Sequence, residues 1–395
     1  MAMGMEVEIH RRITNAAGDT LDGDTPLFWH CWFNLVSDKI APGGGAAFSN
    51  MEFVLGHFDQ KTVAPAVALT KLTRRVQEMR SIWTQLYAQT GRLGTVVPRE
   101  QPDHALTYHD DPEHGRTEGL LVGPSLAADD QLLYVHYTVG FAPLQWRDML
   151  RGVAAVARPD NAASRARTHV LNGLAVASAI VESLDEAVRG SMPVAAATEL
   201  VREELIGHLA LVYMHAGVFI DRTLTLHLES LRRRAVRQAR IAAVAQQLGF
   251  ESGQPKNKIA ALPRADLAQL FGVLSQASRE VLSENIDVIL DGLARKFEET
   301  HQLDFPEGFE LESPEDGSAT LGEFVRAGLD GADRISQQVL FGGMNLVGVD
   351  DSVPSHPMIP FEFRSIYAGR VSWAQLLIDA TKILNWSRDP RQILA

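Results

Sequence analysis

The hydrophobic pattern of the chain peaks at residues 205–220, LIGHLALVYMHAGVFI, with Glu203 and Glu204 just ahead of the run. The run lies in a proline-free stretch, 194–254, and predicts a helix buried on most of its faces. As one straight helix, 194–248 would be roughly 80 Å long. A globule of this chain length has a radius of gyration of about 21 Å. A break, near Gly217, or a protrusion is therefore expected. Helical spacing recurs elsewhere. In 66–89, Val67, Leu69, Leu72, Val76, Met79, Ile82 and Leu86 follow three- and four-residue steps, and Gly91 and Gly94 close the element. Further helices are expected at 144–156, 163–188, 266–299, 320–340 and 371–386, the fourth of these opened by the capping-box spacing of Thr320 and Glu323.

Strand patterns are fewer. Residues 7–9 and 28–36 are rich in aromatic and β-branched side chains, and 119–122 and 131–139 read as a hairpin-like pair. In the last of these, Leu133, Val135, Tyr137 and Val139 share one face. The expected fold is mainly α: a small mixed α+β portion over 1–150, then a large multi-helix domain over 151–395. That domain carries an irregular Gly/Pro-rich loop at 341–360.

Composition narrows the function classes. Of 395 residues, 46% are hydrophobic and 22% charged, the balance of an ordinary globular protein. A net charge of −12 disfavours general nucleic-acid binding, which needs a basic surface to displace counterions. A single cysteine, Cys31, excludes an internal disulfide and a Cys-based zinc site, and fits a reducing compartment. Its context, Phe28-Trp29-His30-Cys31-Trp32-Phe33, predicts a buried core thiol. A nucleophilic thiol paired with His30 is the alternative, but on an extended strand the two would point to opposite faces and not meet. No secretory signal is visible, and the 205–220 run would span roughly 24 Å as a helix against the ~30 Å hydrocarbon core. A cytoplasmic protein without a transmembrane segment is expected, and Ala/Arg-rich stretches such as 232–247 suggest a bacterial source.

Four constellations carry candidate chemistry. Glu204, His208 and His215 fall within roughly 40° on one helical face, which makes them the candidate catalytic set. Glu204 and His208 are four apart and can share a metal; His215 lies about 10 Å further along the axis and cannot join them. The loop 104–114, HALTYHDDPEH, offers His109, Asp111 and His114 as candidate metal ligands beside His104, Asp110 and Glu113. In 341–360, Asp350, Asp351 and His356 are candidate cofactor contacts on a lid or pocket wall. Arg232, Arg233, Arg234, Arg237 and Arg240 read as a solvated helix end that could also meet phosphate or anionic lipid. The aromatic and methionine residues Trp146, Tyr213, Met214, Phe219 and Trp373 read as core.

No P-loop, dinucleotide fingerprint, nucleophile elbow or zincin helix is present. The paired Asp-rich signatures of helical terpene cyclases are also missing. Titratable groups inside apolar sequence point to an enzyme acting on a small organic molecule in a helix-lined cavity, with iron or haem as candidate cofactor in an oxidoreductase. The alternative is a helical interaction or membrane-active protein that uses the 163–248 hairpin. A homo-oligomer is compatible with either.

Overall fold

Strict alternation along a single strand organises the first half of the molecule. In β1 (Ala2–Ile9), Met3, Met5, Val7 and Ile9 are fully buried on one side, and Glu6 and Glu8 project from the other. The computed structural model describes residues 2–40, 48–59, 64–102, 104–111, 115–125, 133–156, 161–184, 195–231, 261–301, 321–331, 349, 357–363 and 371–391. They divide into two compact units: Met1–Val139 with Ala368–Asp389, and Gly140–Tyr367 with Pro390–Ala395.

The first unit continues through β2 (Arg11–Thr14), β3 (Pro26–Trp29), β4 (Phe33–Ile40), β5 (Phe48–Asp59) and helix α1 (Pro65–Ala88). The short elements β6 (Gly91–Arg92), α2 (Leu93–Val96), β7 (Thr107–Tyr108), β8 (Asp110–Asp111) and β9 (Gly115–Arg116) lead to β10 (Leu121–Ser125) and β11 (Tyr134–Phe141). Six strands pair antiparallel in the order β11-β1-β5-β4-β3-β7. The apolar face adds Phe33 and Leu35 of β4, Met51, Phe53 and Leu55 of β5, and Tyr137 and Val139 of β11, all buried. Helix α1 contributes the buried stripe Ala68, Leu72, Val76, Met79, Ile82 and Leu86. The C-terminal helix (Trp373–Trp386) contributes Trp373, Leu376, Ala380 and Ile383, and its Trp373 ring packs against Phe53 and Trp83. The α1 periodicity is visible in the sequence except in its first turn, where Ala68 is buried while Val67 and Leu69 are exposed.

A mainly α fold with only a small β portion is therefore incorrect. Among the described residues 55% are helical and 25% are in strands, with a large antiparallel sheet. The expected pattern misses β5 altogether and most of β1. β1 mixes Met, Gly and Glu, weak strand formers singly, with Val and Ile, whereas β5 carries a strand signal of its own in Phe48, Phe53, Val54 and Phe58; each lies between partners that complete its ladder. The expected strand 28–36 is in fact a hairpin. Phe28 pairs with Leu35 and Trp29 with Asn34, and residues 30–32 make the turn, closed by the His30 N–H donating to the Phe33 carbonyl at 2.8 Å.

The described residues of the second unit are mostly helical and include a short antiparallel pair. It comprises α3 (Trp146–Val156), α4 (Asn161–Ser183), α5 (Ala195–Leu231), β12 (Leu262–Pro263), α6 (Leu267–Gly272), α7 (Gln276–Glu284), α8 (Ile286–His301), α9 (Leu321–Asp330) and β13 (Ile359–Phe363). Helix α5 is continuous, with no break at Gly217. Leu209, Ala210, Leu211 and Val212 are all fully buried, so neighbours cover it all round at that level. Small residues permit this closeness. A Cβ on Gly207 would stand 2.8 Å from the Trp146 Cβ and 3.1 Å from the Arg147 backbone nitrogen, and one on Gly328 would stand 2.9 Å from Val212 Cγ2.

Gly207→Ala tests this packing. Alanine gains about 1 kcal/mol of helix propensity, but crowding α3 backbone costs about 1–3 kcal/mol. A net loss of stability is expected in urea titration, whereas Gly272→Ala, with open space around it, should be neutral or stabilising. Equal midpoints for the two variants would contradict the close α3–α5 approach.

Candidate metal centre

The second face of the first unit's sheet is polar, and its register brings distant carboxylates together. Glu6 lies opposite His136 of β11, and Glu8 lies opposite Glu52 of β5. Asn50 and Asp38 face each other one pair further across. Such a face is usually open to water, but Glu52 is only 8% exposed and His136 is also buried. One donor atom each from Glu6, Glu52 and His136 lie within 4.8 Å of one another. His136 Nδ1 is 3.8 Å from a Glu6 oxygen, and its Nε2 is 3.8 Å from a Glu8 oxygen.

Electrostatics make Glu52 the unusual member. Burial first, then the charges of Glu6, Glu8, Asp38 and Asp24, hold its carboxyl well above the usual carboxylate range. The charges that act on it are all acidic, and one His136 nitrogen and one Glu6 oxygen lie within 4.8 Å of its carboxylate. A shielded carboxylate amid like charges is the environment that a divalent cation relieves. Oxygen donors with one imidazole suit magnesium or manganese.

The residues singled out in the sequence fall elsewhere. Glu204 Oε2 accepts hydrogen bonds from the Ser275 backbone N–H (3.1 Å), the Ser275 hydroxyl (2.6 Å) and the Ser278 hydroxyl (2.6 Å), so it anchors the start of α7. His208 Nε2 donates to the Gly328 carbonyl at 2.6 Å, and its ring stacks on Trp146. Glu204 and His208 thus engage different neighbours and share no ligand geometry. Burial pushes His208 down to about 4; burial and then His208 push His215 down to about 3. His109 packs against Trp29, and His104 packs edge-on to His30 and Trp32, so these two imidazoles of the 104–114 loop have different neighbours. His114, Asp350, Asp351, His356, the arginines at 232–240 and the Asp111 side chain lie outside the described residues. Cys31 is exposed, not a core thiol. Glu6 and Glu8 were legible only as alternating acids in MEVEIH; nothing local linked them to Glu52 and His136.

Among the described residues no helix is long and apolar enough to cross a membrane. No family model matches the chain, and no curated protein does. Among solved structures, it is similar to a Vibrio cholerae toxin from the MARTX/VgrG family, at 12% identity and a TM-score of 0.44, over 92% of this chain and 93% of that one. A likeness at that level carries no argument about activity.

Two outcomes are expected. Glu52→Gln should raise the melting temperature of cation-free protein and abolish the further rise given by manganese; bound cation at a hundredfold excess over Kd contributes about 2.7 kcal/mol. An unchanged manganese-induced rise in this variant would remove Glu52 from the centre. Separately, the folded histidines 208 and 215 titrate below the ~6.5 of an unfolded chain. The unfolded chain therefore binds more protons, and stability is complete above about pH 6.5 and falls on acidification toward pH 4. By pH 5 the loss is about 2 kcal/mol per histidine. Urea midpoints at pH 7 and 5 should show it, and His208→Gln should flatten the dependence; an undiminished slope would show that His208 is not its source.

Proposed function

We propose that Glu6, Glu52 and His136 hold a divalent cation and that the protein is a metal-dependent enzyme acting on a small anionic molecule. The observation that carries this reading is Glu52, a buried carboxylate surrounded by acids, with donor atoms of Glu6 and His136 within 4.8 Å of its own. The donor set is mostly hard oxygen with a single imidazole, which favours magnesium or manganese over haem, whose axial ligands are typically imidazole, thiolate, thioether or phenolate. Three protein ligands leave positions in an octahedral shell for water and for substrate oxygens. A phosphate or carboxylate group seated there gains charge stabilisation worth several kcal/mol as negative charge develops. Glu8, on the same face, beside His136 and opposite Glu52, would supply a proton acceptor next to such a cation.

Manganese binding to dialysed full-length protein tests the centre, with metal content read by mass spectrometry and open coordination read by water proton relaxation. Tight binding is expected, weakened by about tenfold to a hundredfold in Glu6→Gln, Glu52→Gln and His136→Gln. Relaxation enhancement that falls when inorganic phosphate is added marks an open, substrate-ready shell. Binding without exchangeable water would make the cation structural. Stoichiometric iron in the purified protein, or undiminished manganese binding in all three variants, would overturn the reading.

A further inference from the structure

A different cluster of the first unit carries a second chemistry. The β3–β4 turn brings the chain's sole cysteine against the preceding residue, with Cys31 Sγ 3.7 Å from His30 Nδ1. On the other side of the ring, His30 Nε2 is 3.5 Å from Glu78 Oε2 on α1. The imidazole is fixed by stacking on Phe33 with centroids 4.4 Å apart, and by the edges of Trp32 and His104. Arg74 Nε holds the other Glu78 oxygen at 3.3 Å, and its guanidinium lies over Trp32. Nucleophile, base and orienting carboxylate thus stand in sequence, at the loose spacing common before substrate binds.

The imidazole and the carboxylate of this cluster border a cavity of about 720 Å³, with His30, Arg74, Glu78, Ser81, Gln101 and His104 in its wall, and Cys31 stands behind His30 in the turn. His104 Nε2 is shielded from solvent and has no hydrogen-bond partner among the described residues. An unsatisfied imidazole nitrogen in a cavity wall of this size calls for a polar ligand.

We infer that Cys31, His30 and Glu78 form a nucleophilic acyl-transfer site whose substrate, an activated ester or thioester, seats its acyl group in the α1 cavity. The step balances within the cluster. Cys31 Sγ bonds the carbonyl carbon as its proton passes to His30 Nδ1. The bond to the leaving group then breaks, and the leaving group takes that proton from His30. Water hydrolyses the resulting thioester, delivering hydroxide to the acyl carbon and a proton to sulfur. Partial burial and then Glu78 hold the resting thiol above its usual range, so activation comes from the neighbouring base and not from a standing thiolate.

One cysteine makes the test unambiguous. Iodoacetamide alkylation of full-length protein should follow an ionisation in the imidazole range. It should slow by at least about tenfold in His30→Gln and measurably in Glu78→Gln. p-Nitrophenyl acetate should give a stoichiometric burst with acetyl on Cys31 by mass spectrometry, absent in Cys31→Ala. Should His30→Gln fail to fold, the wild-type pH profile and Glu78→Gln decide. Alkylation that rises only through the thiol range and is unchanged in Glu78→Gln, or acetylation away from Cys31, would overturn the assignment. The variants leave Glu6, Glu52 and His136 intact, so this outcome is independent of the cation centre.

Discussion

The first unit depends on the two-sidedness of its central strand. Period-two geometry gives β1 an apolar face of methionine, valine and isoleucine and a second face of glutamates. A one-residue slip would drive Glu6 and Glu8 into the Phe53–Trp373 core and expose the methionines. The same constraint that secures the core therefore secures the alignment of Glu6 with His136 and of Glu8 with Glu52. Stability of the sheet and assembly of the cation centre are one requirement, and the burial of Glu52 among acids is the tension left within it.

In the second unit the corresponding constraint is close approach. Glycines 173, 207 and 328 remove the side chains that would hold α4, α3 and α9 away from α5. Several of the polar groups buried in this unit are held by fixed neighbours. Glu204 takes three donors at the start of α7, His208 takes the Gly328 carbonyl, and Arg264 pairs with the fully buried Glu362. These are interior polar groups kept neutral or paired, as a low-dielectric core demands. Titratable groups in apolar sequence thus had two different fates: on α5 Glu204 and His208 turned to separate neighbours, and on the sheet Glu6, Glu52 and His136 gathered into a cluster.

The hairpin turn at 30–32 shows how a local departure from regularity changes chemistry. An extended strand would separate His30 from Cys31. The turn puts them in contact, and α1 supplies Glu78 behind the ring.

By itself the sequence determined what is periodic and local. The α1 stripe, the burial of the 205–216 run, the inward face at Leu133, Tyr137 and Val139, and the lack of a membrane-length apolar helix among the described residues follow from spacing alone. Tertiary structure decided what depends on pairing across long separations. β1, β5 and β11 lie far apart in the chain, so the meeting of Glu6, Glu52 and His136 is a fact of register that no window of sequence contains. The strand content was underestimated for the same reason. Helical hydrogen bonds close within four residues and leave a local imprint, whereas a strand such as β1, mixing Met, Gly and Glu with Val and Ile, becomes one only when its neighbours arrive.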